Sequence, residues 1–223
     1  GGPIENPLMR KYNMADRERD RVVIELDLMP TEALGVNFSY YRAESDYDES
    51  VLGLQESTDQ SYTVNFNYAV GKKMDLYAWL NSDDIDASMS NASGSNAEPW
   101  NGVTDDRITT MGFGASSRLS EKASIGVDYV SSDSRGRISV ETAAEEPPFD
   151  ILTTDLTKLR ASFDHEISDH WGYKLYAEYE KFSGSDWATD GLGVDGLNSV
   201  LSLGDQVPDY STWYFRIQAS YRF

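Results

Sequence analysis

The fold is decided by the carboxyl-terminal stretch Trp213-Tyr-Phe-Arg-Ile-Gln-Ala-Ser-Tyr-Arg-Phe223. Every second residue from Trp213 onward is apolar or aromatic, whereas the residues between them are polar or amphipathic and include Arg216 and Arg222. Side chains of a β-strand point alternately to its two faces. The stretch therefore predicts a terminal strand with one apolar face and one polar face.

Eight segments upstream show the same alternation, so the sequence predicts about nine strands. The clearly alternating cores of these strands fall near residues 21–28, 34–41, 62–70, 74–81, 110–116, 124–129, 158–164 and 171–180. Short turns alternate strictly with long polar connections, which are predicted near residues 46–59, 83–105, 135–153 and 183–208. Short periplasmic turns and long extracellular loops are typical of transmembrane β-barrels.

The predicted strands are long. At about 12–15 residues they exceed the ~9–11 that cross a hydrocarbon core and the ~5–6 of an average soluble strand. Aromatic residues near the strand ends match the interfacial girdle of membrane barrels; they are Tyr40, Tyr68, Trp171, Tyr173 and Trp213. A soluble antiparallel sheet would explain the alternation, but neither the strand length nor the unequal connections. We therefore predict an all-β fold, an antiparallel transmembrane β-barrel in the lipid of the bacterial outer membrane.

The composition of the chain argues against several classes of partner and cofactor site. The 223 residues include 38 acidic and 19 basic side chains, for a formal net charge of −19, which argues against nucleic acid as a partner. The chain has no cysteine, so disulfides, thiolate metal sites and the Cys-x-x-Cys-His attachment of c-type haem are all excluded within it.

The terminal strand also fixes the direction of the others. If the short turns are periplasmic, this strand ends in the periplasm and the first strand begins outside the cell. Bacterial barrels have even strand numbers, so we expect residues 1–16 to be an extracellular loop preceded by an odd number of strands and a signal peptide in a longer protein. Alternatively, residues 4–13 form an edge strand that closes a ten-stranded barrel, although Pro3 and Pro7 disfavour it. A strand ending on an aromatic residue resembles a barrel-assembly signal, here Tyr221 and Phe223.

The polar faces carry ionisable and aromatic side chains in mid-strand. Such groups are costly in an apolar core but acceptable in a wet or protein-filled lumen. The residues predicted to face the lumen or a partner within it are Glu25, Asp27, Asp75, Tyr77, Trp79, Lys158, Arg160, Glu178 and Arg216. Gly112 and Gly114 are predicted to leave room for a bulky neighbour.

Metal sites and catalysis have weaker support. The acidic runs Asp83-Asp84, Asp105-Asp106 and 186–195 could bind calcium, although none has EF-hand spacing. His165 and His170 are the only histidines and have no evident partner ligand. The carboxylate pair Glu178 and Glu180 suits lumen lining better than glycoside chemistry, and no catalytic set can be assembled, so we predict no enzymatic activity. The charged run 16–21 is interpreted as a solvated transition into the first strand, with local ion pairs that individually contribute little, rather than a partner clamp.

Four segments resemble the final third of the MtrB/PioB family of outer-membrane barrels. They are Met9-Arg-Lys-Tyr-Asn-Met-Ala-Asp-Arg-Glu-Arg19, Tyr47-Asp-Glu-Ser-Val-Leu-Gly-Leu54, Ser183-Gly-Ser-Asp-Trp187 and Val200-Leu-Ser-Leu-Gly-Asp-Gln-Val-Pro-Asp-Tyr210, followed by the terminal Tyr221-Arg-Phe223. The resemblance implies a barrel that sheathes a periplasmic multihaem c-type cytochrome and positions it for electron transfer across the outer membrane. It also suggests a second multihaem cytochrome outside the cell, and it assigns all haem to the partners.

Two alternatives in the membrane remain open at this stage. In a general porin, the same lumen is filled with water and passes small solutes or cations. In an outer-membrane enzyme, such as a lipase or protease, the barrel carries a catalytic set that the sequence pattern does not reveal.

Overall fold

The computed structural model describes residues 6, 8–47, 50–92, 100–141, 149–187 and 209–222. They form one nine-stranded antiparallel sheet in which every strand pairs with its neighbours in sequence, so the all-β prediction and the strand number are confirmed. The strands are β1 (Glu18–Thr31), β2 (Leu34–Asp46), β3 (Gly53–Val70), β4 (Met74–Asn91), β5 (Trp100–Arg118), β6 (Ala123–Glu141), β7 (Leu152–Glu166), β8 (Trp171–Ser185) and β9 (Tyr210–Tyr221). No helix among the described residues is long and apolar enough to span a membrane.

The strand register gives the sheet two chemically different faces. Leu26 of β1 pairs with Phe38 of β2, which pairs with Val64 of β3, and the row of large apolar side chains continues from strand to strand. We call this side the apolar face. Asp27, one residue along, starts a row on the opposite side that continues through Asn37 and Asn65, and we call that side the polar face.

The apolar face leaves large side chains uncovered. Phe215 and Ile217 of β9 are 69% and 80% exposed, and similar residues are exposed on the other strands. A water-soluble protein rarely exposes a continuous apolar surface of this kind, whereas a strand facing lipid requires one. The soluble-sheet alternative therefore fails on this face.

The middle strands are longer than the sequence suggested. β3 and β4 have 18 residues each, and β5 and β6 have 19. The predicted loops at 46–59, 83–105 and 135–153 are therefore wrong where strands extend into them, because β3 begins at Gly53, β4 continues to Asn91, β5 begins at Trp100 and β6 continues to Glu141. The alternation stops being visible beyond Leu80, since Ser82, Asp84 and Asp86 on the apolar side are as polar as their neighbours.

The connections keep the predicted order of short and long. Residues 32–33, 71–73, 119–122 and 167–170 are the short ones, and residues 47–52, 92–99, 142–151 and 186–209 are the longer ones. Gly71 has a φ of 64° in its turn, a conformation that glycine adopts without a steric penalty.

The sheet is open within the described part of the chain, where β1 pairs only with β2 and β9 only with β8. The alternative ten-stranded closure is not formed, because described residues before β1 contribute only an isolated parallel bridge between Met9 and Leu52. The two backbone segments approach each other closely beside this bridge. Gly53 has a φ of 116°, and a Cβ there would lie 2.3 Å from the carbonyl oxygen of Arg10. None of the described residues 6 and 8–16 belongs to one of the nine strands, and the extracellular position of residues 1–16 stays a prediction.

Candidate functional site on the polar face

All nine residues predicted from the sequence to face a lumen lie on the polar face. They form three separate groups: Glu25 and Asp27 on edge strand β1, Asp75, Tyr77 and Trp79 on β4, and Lys158, Arg160, Glu178 and Arg216 on β7–β9. The structure therefore brings only the last four into one connected cluster. That these groups face a partner stays a prediction.

The ion-pair cluster, as we name it, consists of Lys158, Arg160, Tyr176, Glu178, Glu180, Tyr210 and Arg216. Lys158 is directly opposite Glu180 in the register, and Arg160 is opposite Glu178. Opposite charges at such positions attract across the strands. The Lys158 Nζ lies 2.5 Å from Glu180 Oε2, and the Arg160 Nε lies 2.5 Å from Glu178 Oε2.

Tyrosines complete the same cluster. The Tyr176 hydroxyl donates a hydrogen bond of 2.5 Å to Glu178, and the Tyr210 hydroxyl donates one of 2.5 Å to Glu180. The Arg216 guanidinium carbon lies 5.2 Å from the centroid of the Tyr176 ring, which is a cation–π contact. The carboxylates are thus satisfied from within the chain, and they are only 16% and 17% exposed.

Sequence reasoning missed Tyr176 and Tyr210 as members of this cluster. The alternation of Tyr176, Glu178 and Glu180 along β8 was the available signal, because it places three polar groups on one face of one strand. Only the register with β9 could add Tyr210, which follows the long connection 186–209.

A second feature, the aromatic platform, consists of Tyr77 and Trp79 on β4 and of Gly112 and Gly114 on β5. Trp79 pairs with Gly112 and Tyr77 with Gly114. A Cβ at Gly112 would lie 2.6 Å from the Trp79 Nε1, and one at Gly114 would lie 2.5 Å from the Tyr77 Cζ. The predicted room for a bulky neighbour is confirmed, since both rings lie against the backbone of β5.

Polar side chains surround the platform. On its β3 side, Asn65 donates to Asn37 over 2.9 Å, and Asn37 donates to Asp27 over 2.8 Å, so that side-chain hydrogen bonds link β1 to β3. Asp75 precedes Tyr77 on the same face, and Asp128 of β6 is paired in register with Gly114. Neither carboxylate has a basic nitrogen of another described residue within 4.0 Å.

The acidic pairs are divided between the faces because they lie in strands rather than loops. Asp83 and Asp106 lie on the polar face, whereas Asp84 and Asp105 lie on the opposite side, where Asp84 is 2.5 Å from the Nε of Arg107. Beyond the apolar band, partial desolvation and then the nearby charges of Asp105 and Asp84 raise the pKa of Asp86.

No group of three or more metal-binding side chains occurs among the residues that the structure describes. His165 packs beside Tyr173, and the Nδ1 of His170 lies 3.0 Å from the carbonyl oxygen of Arg222. Most of the acidic run 186–195 lies outside the described residues, so calcium there stays a prediction.

Arg19 of the charged run 16–21 forms contacts across the strands. It donates to the Tyr41 hydroxyl over 2.7 Å and lies 3.3 Å from Asp59, so its side chain links β1 to both β2 and β3. A partly exposed ion pair of this kind is compatible with the predicted solvated transition, and the absence of a partner clamp stays a prediction.

Aromatic pairs occur on the apolar face near both ends of the apolar rows. Trp171 and Tyr221 have ring centroids 4.9 Å apart near the short-turn end, and Tyr179 and Trp213 have centroids 5.1 Å apart farther along. Phe223 lies outside the described residues, so the assembly signal formed with Tyr221 stays a prediction.

Comparison with known proteins matches the whole chain. The model of a family described as "Putative outer membrane beta-barrel porin, MtrB/PioB" matches residues 2–223. The "Outer membrane protein MtrB" of Shewanella baltica (strain OS185) is 27% identical over 219 residues, which cover 97% of this chain and 31% of that relative. The chain thus spans about a third of the length of the curated relative it matches.

Solved barrels share the fold at low sequence identity. The copper transporter OprC superimposes with a TM-score of 0.67 at 10% identity, over 91% of this chain and 34% of its own. BauA, the ferric preacinetobactin receptor of Acinetobacter baumannii, gives 0.59 at 10% identity, over 90% and 36%. The siderophore receptor PiuA of the same organism gives 0.51 at 11%, over 91% and 39%. The open sheet therefore corresponds to part of the wall of a larger barrel.

Proposed function

Because the chain belongs to the MtrB/PioB family of outer-membrane β-barrel proteins, we propose that it forms part of a barrel that encloses a multihaem c-type cytochrome. The barrel lies in the bacterial outer membrane. In this proposal, it insulates the cytochrome from lipid and positions it for electron transfer across that membrane. The cytochrome enters from the periplasm, and a second multihaem cytochrome outside the cell would exchange electrons with it.

The observation that carries the proposal is the chemistry of the polar face. With the apolar face towards lipid, this face lines the interior of the barrel. It presents the aromatic platform and the carboxylates of Asp75 and Asp128, which form no ion pair with another described residue. A protein surface inside the barrel would supply the missing contacts.

The chain's own part in this function is structural. It has no cysteine to attach c-type haem, and its described residues gather no group that could hold a metal. The haems of the partner supply the redox chemistry. The residues of this chain exclude lipid, orient the partner and neutralise its surface charges, so we propose no catalytic residues.

The test is purification of the full-length protein from its native outer membrane in mild detergent. We expect haem absorbance to co-elute with the barrel in a fixed stoichiometric ratio. Colourless protein, free of any haem-staining band on a gel, would overturn the proposal.

A porin that passes small cations is the second candidate. It is favoured by Glu25, Asp75 and Asp128, whose carboxylates make no ion pair with another described residue and would attract cations into an open lumen. Planar-bilayer recordings separate the two functions. A conducting, haem-free barrel with cation selectivity supports the porin, whereas a haem-filled barrel that does not conduct supports the sheath.

A further inference from the structure

We propose that the aromatic platform, with Asp75 and Asp128 beside it, binds lysine or arginine side chains of the protein inserted in the barrel. This inference rests on the proposed function, because it requires a protein partner in the interior. It assigns a role to residues that form no ion pair with the ion-pair cluster, although Asp128 is opposite Arg160 in the register.

The positions of the two platform rings are determined by the glycines of the neighbouring strand. The Tyr77 and Trp79 rings lie where a Cβ on Gly112 or Gly114 would be, at 2.5–2.6 Å from the nearest ring atoms. Any other residue at these two positions would push the rings away from the sheet. The glycines thus hold one face of each ring against β5 and leave the other face directed towards the interior.

The free ring faces are not used by the described chain. Neither Tyr77 nor Trp79 stacks on another aromatic ring of the described residues, in contrast with ring pairs such as Tyr40 and Tyr62. The indole nitrogen and the phenol hydroxyl likewise have no hydrogen-bond partner within the described part of the chain. An aromatic face at the centre of a polar surface, with its polar atoms unpaired, is suited to contact with another molecule.

The surrounding charge selects a cation. Asp75 lies two residues from Tyr77 on the same face, and Asp128 is paired with Gly114 beneath the Tyr77 ring. The electron-rich ring faces attract a cation, and the two carboxylates add hydrogen-bond acceptors at the edges. The net charge of −19 extends this complementarity to a basic protein surface.

The same face already contains a contact of this type. On β9, the guanidinium of Arg216 lies 5.2 Å from the centroid of the Tyr176 ring, whose hydroxyl donates to Glu178. There the chain supplies the ring, the carboxylate and the cation. At the platform, no cation of the described residues lies over the rings, and Arg160, which is opposite Asp128, is paired with Glu178 instead, so the partner is expected to supply the cation.

A bound metal ion is a poorer occupant of the platform. Calcium takes six to eight oxygen ligands, whereas Asp75 and Asp128 lie on strands separated by β5 and belong to no group of three possible ligands among the described residues. A metal ion also gains less than an organic cation from contact with an indole face. A lysine or arginine side chain can make cation–π contacts with the rings and donate hydrogen bonds to the carboxylates.

The experiment uses the full-length protein purified with its haem partner. In the double variant Tyr77→Leu/Trp79→Leu, apolar bulk remains over the glycines but the aromatic faces are removed. We expect the affinity for the haem partner to fall about tenfold, because each cation–π contact contributes of the order of 0.5–1 kcal/mol or more. The measurement is the fraction of haem protein retained by immobilised barrel as salt is raised. Tyr214→Leu, on the polar face but outside the platform, is the matched control and should retain the partner normally.

A second variant keeps the test valid if the double variant does not fold, which heat-modifiable gel migration reveals. Asp75→Asn/Asp128→Asn leaves the rings intact and is expected to lower retention and to weaken its salt dependence. Wild-type retention by every folded variant at every salt concentration would overturn the platform while leaving the proposed function intact. If the wild-type protein is purified without any haem partner, both the platform proposal and the proposed function are overturned.

Discussion

The carboxylates in two parts of the polar face differ in whether they have a basic partner within the chain. On β7–β9, Glu178 and Glu180 each accept hydrogen bonds from a basic side chain and from a tyrosine of the same chain. On β4–β6, Asp75 and Asp128 lie on the polar face with no basic partner among the described residues within 4.0 Å. The two parts lie side by side in one sheet.

The difference arises from what the register places opposite each carboxylate. Glu178 and Glu180 are opposite Arg160 and Lys158, whereas Asp128 is opposite Arg160 on one side and Gly114 on the other. Arg160 is already 2.5 Å from Glu178. A self-paired region contributes to the stability of the wall, and an unpaired region is left available for binding. Two substitutions test this division, and a third, at Asp86 on the opposite face, provides a comparison with unpaired carboxylates that repel each other; they follow from the largest expected effect to the smallest.

Glu178→Ala should be the most damaging. It removes the acceptor of both Arg160 and Tyr176 and leaves two partly buried donors unpaired, at a cost of about 2–3 kcal/mol in the free energy of unfolding. The measurement is equilibrium unfolding of the full-length protein in lipid vesicles, followed by tryptophan fluorescence. Glu25→Ala is the control, because Glu25 makes no ion pair with another described residue, and it should change stability by less than about 0.5 kcal/mol. Equal losses in the two variants would contradict the division.

Gly114→Ala should have an intermediate effect. The added Cβ would lie 2.5 Å from the Tyr77 ring and 2.8 Å from the carbonyl oxygen of Val127, which cannot move away as a side chain can. We expect a loss of about 1–2 kcal/mol from overpacking. Gly35→Ala is the matched control on the same face, because nothing lies within 4 Å of its added Cβ. If both alanines are tolerated alike in the unfolding assay, the platform does not depend on its glycines.

Asp86→Asn should have the smallest effect, with the opposite sign. Partial desolvation, Asp105 and Asp84 raise the pKa of Asp86, so the folded protein binds this proton more tightly than the unfolded chain does. Stability then falls as pH rises from the unfolded pKa through the folded one, and the cost is fully present at neutral pH. The substitution should stabilise the protein at pH 7 by less than about 1 kcal/mol and lose this advantage below pH ~3.9.

A double variant tests whether Asp86 and Asp105 repel each other. Asp86 and Asp105 are directly opposite each other, so either substitution relieves the same repulsion. Asp86→Asn/Asp105→Asn should therefore be less stabilising than the sum of the two single variants. Full additivity in unfolding experiments at pH 7 would show that the two carboxylates do not interact.

The sequence predicted the nine strands well wherever one face was apolar. In β4, residues from Met74 to Leu80 alternate clearly, and this part was assigned correctly. The rest of β4 was mistaken for a loop, because polar residues on both faces remove the period-two signal while the backbone still pairs with β3 and β5. Periodicity detects the contrast between two environments, not the hydrogen-bonded strand itself.

The candidate site was predictable as a face but not as a set of contacts. Alternation alone placed Trp79 and Lys158 on the same side of the sheet. It could not show that Trp79 lies over Gly112, or that Tyr210 reaches Glu180, because both contacts depend on which residues the register brings together. Asp83 and Asp84 illustrate the opposite error, since neighbours in sequence point to opposite faces once a loop becomes a strand.

The length of the middle strands determines how far the barrel wall separates its interior from the surroundings. A strand of 19 residues such as β5 extends over roughly 60 Å, or about 45–50 Å along the barrel axis at an ordinary tilt, whereas the hydrocarbon core is about 30 Å thick. The hydrogen-bonded wall is therefore taller than the hydrocarbon core that surrounds it. Under the proposed function, an enclosed chain of redox centres would be shielded from bulk water beyond the hydrocarbon, so that the length of the shielded electron path would be set by the strands rather than by the bilayer.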